Sequence, residues 1–427
     1  MAQGKKKFLF PGLAASILVF SAGMWAGACN SNDSSPSGDV DSDSDTDVDT
    51  DTDTDTGSEN PLDKQAVSTA GPYLLKPGPD SIEVWWETDL AASSRVSYGE
   101  GESLDHMAVG EIIKDDYEGA YLVKPPSGFR HKVVISGLEQ GKSYSYKVIS
   151  VKEPLKAGHF STAPKQDEDV EIAVFGDDRS NDEDHHLVVQ TILKDSPALV
   201  VNTGDMVPYG KNDDDWRNFF KIEADLVRNT PMYPVMGNHE SALEGSFKFG
   251  SYFGGMLKKD QAAYYSFEFG PVHGVVLDTN RDLEQGSDQL NWLETDLESV
   301  SHRKKQPALL AFFHHPLYTF SNHDPEKQLR EILLPIFQKY GVDAVFWGHN
   351  HCYERFSIKG VPYITTGGGG APLYSVGQAT GDDAQYFVTG EKALHYILLD
   401  VSPTAIDGQV IHVPDHSVMD TFKIEGY

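Results

Sequence analysis

The chain has 427 residues, 39% apolar, 11% aromatic and 23% charged, with a mean hydropathy of -0.40. These proportions describe a soluble globular protein with room for about two or three domains and exclude a polytopic membrane protein. Sixty-five acidic residues against 35 basic ones give a formal charge of -30, which excludes a protein that grips nucleic acid through its phosphates. With only Cys29 and Cys352 there is no disulfide framework and no cysteine zinc ribbon, so any metal must be held by His, Asp and Asn.

In chain order, Lys5, Lys6 and Lys7 precede an apolar run over residues 8–28, interrupted by Pro11 and Gly12 and ending in Ala26-Gly27-Ala28 before Cys29. This is the layout of a signal peptide: basic end, apolar middle, small-residue cleavage site. A cysteine at that point resembles the lipobox of bacterial lipoproteins, with Ala26 in place of the usual Leu. The resemblance implies that 1–28 is removed, that Cys29 is lipidated, and that the protein is exported and held on a membrane or cell surface, periplasmic or extracellular. A transmembrane anchor is the alternative, since about 20 apolar residues can span a bilayer. Residues 33–59 then hold ten Asp, one Glu and no Lys or Arg. Alternating Asp on a strand would line one face with like charges, so 29–60 is expected to be an unfolded tether rather than a calcium-binding repeat, whose glycines are missing.

From 67 to 163 the pattern changes to short β-rich runs separated by turn residues, among them 81–87, 95–98 and 129–135, which predicts a small antiparallel sandwich over 61–165. Residues 138–148, with Leu138 before a turn and then Tyr144-Ser145-Tyr146, resemble the end of a fibronectin type III domain. No His or carboxylate cluster is present there, so the domain is read as a structural or positioning module.

Over 166–427 buried-looking strands alternate with helical stretches, the pattern of an α/β domain. Five strands run into loops dense in metal-binding residue types: 171–175 into Gly176-Asp177-Asp178-Arg179, 198–202 into Thr203-Gly204-Asp205, 232–236 into Gly237-Asn238-His239-Glu240, 308–313 into His314-His315-Pro316, and 343–347 into Gly348-His349-Asn350-His351. Sites in open α/β sheets gather at the carboxyl ends of strands, so the five clusters are expected to converge. Each alone is a turn or a loop histidine; together, Asp, Asp, Asn, His, His and His suffice for two metal ions.

These residues, with His349 to Arg355 as the most specific string, resemble the calcineurin-like metallophosphoesterases and, within them, the purple acid phosphatases. The resemblance implies a layered α/β catalytic domain of two mixed β-sheets flanked by helices, preceded by the all-β sandwich. It also implies hydrolysis of phosphate esters, acid phosphatase fashion, by a metal-bound hydroxide. Carried over by position, Asp205 bridges two ions, Asp177 and His351 hold the first, and Asn238, His314 and His349 hold the second. His239 is implied as partner of the phosphate or leaving group, and His323 as a substrate-facing loop histidine, although 321–325 also reads as a helix-entry loop. The ions implied are iron with zinc, manganese or a second iron.

The family pattern breaks in two places. The metal-binding Tyr three residues after the second-motif Asp is replaced by Pro208, with Tyr209 following as a possible slipped ligand or a plain loop residue. Arg179 stands where other members have a His; a guanidinium suits a phosphate oxygen rather than a metal. Among the remaining features, 367–370 reads as a site-rim loop, 287–297 as a helix capped by Ser287, and Cys352 as a small buried residue. A phosphodiesterase or nucleotidase on the same centre and a non-catalytic surface binding module are the rival readings.

Overall fold

The computed structural model describes residues 60–113, 127–242, 245–254, 256–258, 262–281, 283–301 and 307–426. Cys29, the signal segment and nearly all of the acidic stretch lie outside them. No described helix is long and apolar enough to cross a membrane.

Strands β1 (Ser68–Leu75), β2 (Ser81–Thr88), β5 (Glu111–Ile113) and β6 (Phe129–Ser136) form one antiparallel sheet in the order β1-β2-β6-β5. A second, ordered β4-β3-β7-β8, contains β3 (Arg95–Glu100), β4 (His106–Val109), β7 (Ser143–Val148) and β8 (Gly158–Ser161). The two-residue period of a strand explains the packing. Ile82, Val84 and Trp86 on one face of β2 meet Val133 and Ile135 of β6 and Val96, Tyr146 and Val148 of the other sheet in a common core. The opposite face of β1 and β2 is buried too. Trp85 belongs to the core of the C-terminal part, the Tyr73 ring stacks on Phe220 at 4.3 Å, and its hydroxyl donates to the Tyr252 carbonyl at 2.6 Å. Around this junction the buried Arg130 guanidinium lies 3.2 Å from Glu87 and 3.4 Å from Asp213, Arg217 lies 2.7 Å from Glu87, and Lys248 lies 2.5 Å from Asp213.

The C-terminal part has two mixed sheets. The first has the order β11-β10-β9-β19-β20-β21, with β9 (Val170–Phe175), β10 (Leu199–Asn202) and β11 (Met232–Pro234) parallel and β19 (His395–Val401), β20 (Ala405–His412) and β21 (Ser417–Glu425) antiparallel. The second, which includes β12 (Tyr265–Phe269), β16 (Tyr353–Ile358) and β18 (Phe387–Glu391), has the order β12-β13-β14-β15-β17-β16-β18. Its parallel strands are β13 (Val272–Val276), β14 (Ala308–Phe312), β15 (Ala344–Trp347) and β17 (Val361–Thr366). Ile172 and Val174 of the first sheet share a core with Phe312, Phe346 and Ile364 of the second, so the sheets pack face to face. Helices α6 (Asp288–Ser301) and α7 (Lys327–Tyr340) cover the far face of the second sheet through Leu293, Leu297, Leu333 and Phe337. As expected, the Ser287 hydroxyl oxygen accepts from the Leu290 N–H at 3.3 Å, and Cys352 is fully buried.

Candidate metal centre

The five loops do meet, but from two sheets. Three follow the parallel strands β9, β10 and β11, and two follow β14 and β15. Apart from exposed Glu171 near the start of β9, these strands are buried along their length, so their metal-binding residue types cluster where the strands stop. The turns are sharp: Asp177, Asp205 and His349 adopt left-handed backbone at φ of 58°, 58° and 68°. Non-glycine residues rarely hold that conformation, and such strain is characteristic of functional loops. The motif glycines have a steric reason. A Cβ at Gly348 would collide with Asp177 Oδ2, and one at Gly237 with Asp205 Oδ1.

Asp205, 1% exposed, is the hub. Its Oδ1 is 3.3 Å from His314 Nε2 and accepts from the His239 N–H at 3.0 Å, while Oδ2 accepts from Arg179 Nε at 3.1 Å. Donor atoms of Asp205, His314 and His349 lie within 4.8 Å of one another, and so do those of Asp177, Asp205 and His351. Asn238 completes the first set: its Oδ1 is 3.1 Å from His314 Nε2 and 2.9 Å from His349 Nδ1. Asp177 takes the His349 N–H on both oxygens, at 3.1 and 2.9 Å, and its Oδ1 is 3.5 Å from His351 Nε2.

Backbone carbonyls select the tautomers. His314 Nδ1 faces the Thr203 carbonyl at 2.9 Å and His351 Nδ1 the Pro372 carbonyl at 2.9 Å, so each Nδ1 donates and each Nε2 is the atom turned toward the carboxylates. His351 Nε2 is buried without a hydrogen-bond partner. The carboxylates are equally unsettled. Burial pushes Asp177 up to about 8, relieved by His314 and worsened by Asp205, and burial with the Asp205 charge pushes Glu240 up to about 8. Burial opposes ionisation of Asp205 as well, but His314, His239 and Arg179 hold it well below the carboxylate range. Burial favours neutral His314, yet Asp205 and Asp177 raise it to about 9; His349, buried beside His314, His315 and His323, falls to about 2. Crowded buried acids beside lone-pair imidazoles fit cations placed among them.

Of the other expected residues, His239 has Nδ1 2.7 Å from the Pro208 carbonyl and Nε2 3.8 Å from Asp205 Oδ2. The His323 ring is 4.2 Å from that of His349, and the backbone N–H of His323 donates to Asn350 Oδ1 at 2.8 Å. Since α7 starts four residues later, the loop is both helix entry and site wall. Tyr209 is 62% exposed, and among the described residues its hydroxyl makes no hydrogen bond; it lines a small pocket with Pro208, Asn238 and His239. Three residues went without a role in the sequence. Glu240 accepts from the N–H groups of Asp205, Gly237 and Val207 at 2.8, 2.8 and 3.1 Å, for which its place three residues after Gly237 was the available signal. Tyr374 stacks on His351 at 4.2 Å and 15°, and His315 Nδ1 bonds Thr279 Oγ1 at 2.7 Å; neither had a sequence signal beyond its type.

Two face-to-face mixed sheets with this cluster between their strand ends define a calcineurin-like phosphoesterase, and the chain matches that family over residues 170–353. It is 30% identical over 319 residues to purple acid phosphatase 21 of Arabidopsis thaliana, covering 70% of each chain. It is 27% identical over 342 residues to human acid phosphatase type 7, covering 70% of this chain and 73% of the relative. The structure of purple acid phosphatase PPD1 from yellow lupin superposes with a TM-score of 0.68 at 20% identity, over 83% of this chain and 74% of that one, which shows the shared fold. The chain belongs to the purple acid phosphatases and is a metal-dependent phosphoric ester hydrolase.

Proposed function

We propose that the chain is an exported, lipid-anchored phosphomonoesterase. The observation that carries the catalytic reading is that Asp205 belongs to both donor clusters. Asp177, Asp205 and His351 would hold one ion, and Asp205, Asn238, His314 and His349 the other. Two such ions supply Lewis acidity toward the phosphate and make water a nucleophile at neutral pH. The donors, mixed oxygen and nitrogen without thiolate or phenolate, suit iron, manganese or zinc.

The chain's own groups do the rest. The Pro208 carbonyl holds one proton of His239 on Nδ1, so Nε2 is the atom that carries the second proton of the imidazolium, and this proton passes to the departing alkoxide oxygen, leaving His239 neutral. Arg179, anchored through Nε, aims its remaining N–H groups at phosphate oxygens. His323 and Tyr374 flank the imidazoles of His349 and His351 and keep water and substrate in place. The N-terminal sandwich is read as a fibronectin type III-like positioning module, a reading supported by its two four-stranded sheets and the Tyr144-x-Tyr146 strand.

The test is hydrolysis of a chromogenic phosphomonoester beside its diester analogue by the whole chain loaded with iron, manganese or zinc. Monoester turnover that disappears in His314→Ala supports the reading; cleavage of the diester alone makes the enzyme a phosphodiesterase, and no cleavage with any ion turns attention to a binding role. For the anchor, Cys29→Ser should move the protein from the membrane fraction to the soluble one.

A further inference from the structure

A second group of ionisable side chains lies behind the metal centre and takes no part in the chemistry above. Asp178 directly follows Asp177, His185 sits in the first turn of α1 (Asp182–Asp195), and Glu223 caps the C-terminus of α2 (Asp213–Ile222). Their exposures are 1%, 2% and 0%. His185 Nε2 is 3.3 Å from Asp178 Oδ2 and 2.7 Å from Glu223 Oε1, and one donor atom from each residue lies within 4.8 Å of the other two.

We infer that Asp178, His185 and Glu223 hold a third metal ion, a structural divalent cation of the Zn2+ or Mn2+ type. Hydrogen bonding leaves the cluster incomplete. Asp178 Oδ1 accepts from Asn202 Nδ2 at 3.1 Å, but Asp178 Oδ2 and Glu223 Oε2 are buried with no hydrogen-bond partner. Among the described residues His185 is the only cationic side chain within 4 Å of either carboxylate, so one imidazole N–H is shared between two carboxylate oxygens, Asp178 Oδ2 and Glu223 Oε1. Buried acceptors are rarely abandoned in this way.

An ion answers both deficits. At about 2.1 Å from oxygen and nitrogen donors, its ligands stand about 3.0–3.4 Å apart. The 3.3 Å pair already has that spacing, and the 2.7 Å pair reaches it by opening a few tenths of an ångström. Two carboxylates balance a divalent charge with His185 neutral, and the Phe219 ring, 5.8 Å from the imidazole and nearly parallel to it, seals one side. One imidazole with two carboxylates suits a borderline cation rather than a soft one. Placed there, the ion ties the turn bearing Asp177 and Arg179 to α1 and α2.

Metal content per chain, measured by plasma mass spectrometry on the purified whole protein, decides the matter. The parent should carry three ions, Glu223→Gln two, and Asp205→Ala one. Equal metal content in the parent and in a Glu223→Gln variant with native circular dichroism overturns the inference, whatever Asp205→Ala does. A count that Asp205→Ala leaves unchanged defeats the dinuclear assignment alone. If Glu223→Gln does not fold, anomalous scattering from parent crystals at the zinc and manganese edges replaces it: a peak among the three donors upholds the third site, and its absence refutes it.

Discussion

Glu240 should be the residue on which the geometry of the centre depends without touching substrate. It is 0% exposed, and its two oxygens take three backbone N–H groups, joining the loop of Asp205 to that of Asn238. Glu240→Ala leaves those donors buried and unpaired at about 1–3 kcal/mol each. Partial collapse and water entry reduce the sum, and we expect a loss of about 3–5 kcal/mol. Glu240→Gln keeps one oxygen for Asp205 and Gly237 and turns an amide toward Val207, so it should lose about 1–2 kcal/mol. Urea unfolding of ion-saturated protein measures both, and metal retention during dialysis reports the loop directly: retention should fall in the order parent, Gln, Ala. A loss below about 1 kcal/mol for Glu240→Ala, or equal losses for the two variants, would refute the account.

Asp205→Ala should release both ions of the dinuclear centre, whereas His239→Ala should keep them and lose about 10²–10⁴-fold in turnover; the reverse pattern in metal content and kcat would exchange their roles. Arg130→Met should destabilise the protein by about 3 kcal/mol, because Glu87 and Asp213 lose a buried partner, and a urea midpoint within error of the parent would contradict this. His273 is held between Asp296 at 2.7 Å and Glu268 at 2.9 Å; burial opposes its charge, but the two acids raise it to about 9. A folded value above the unfolded one means stabilisation that is complete below about pH 6.5 and lost as pH rises through about 9. With Glu268 45% exposed, about 1–2 kcal/mol survives screening, so parent and His273→Gln should converge in unfolding free energy by pH 10.

The motif residues were legible because buried strands leave only their ends for polar chemistry, so Asp177, Asp205, Asn238, His314, His349 and His351 stood out as a set. The helix at 287–297 was readable from its period and its cap, and the structure extends it to Ser301. What one sequence could not convey was depth. Asp178 and Glu223 look like ordinary surface acids, and only the packing of α1 and α2 makes them buried neighbours of His185. Tyr374 reaches His351 through a loop with no periodicity, so no pattern announced it.

The shared face of β1 and β2 bears on how this enzyme can be cut or recombined. A boundary drawn near residue 165 follows the change of pattern, yet Trp85 and Tyr73 are on one side of it and their packing partners on the other. A catalytic cassette excised there would carry a raw apolar wound around Phe220 and would invite aggregation. Graftable units therefore begin before β1, and swapping the front module between relatives would need the residues of that seam to travel with it.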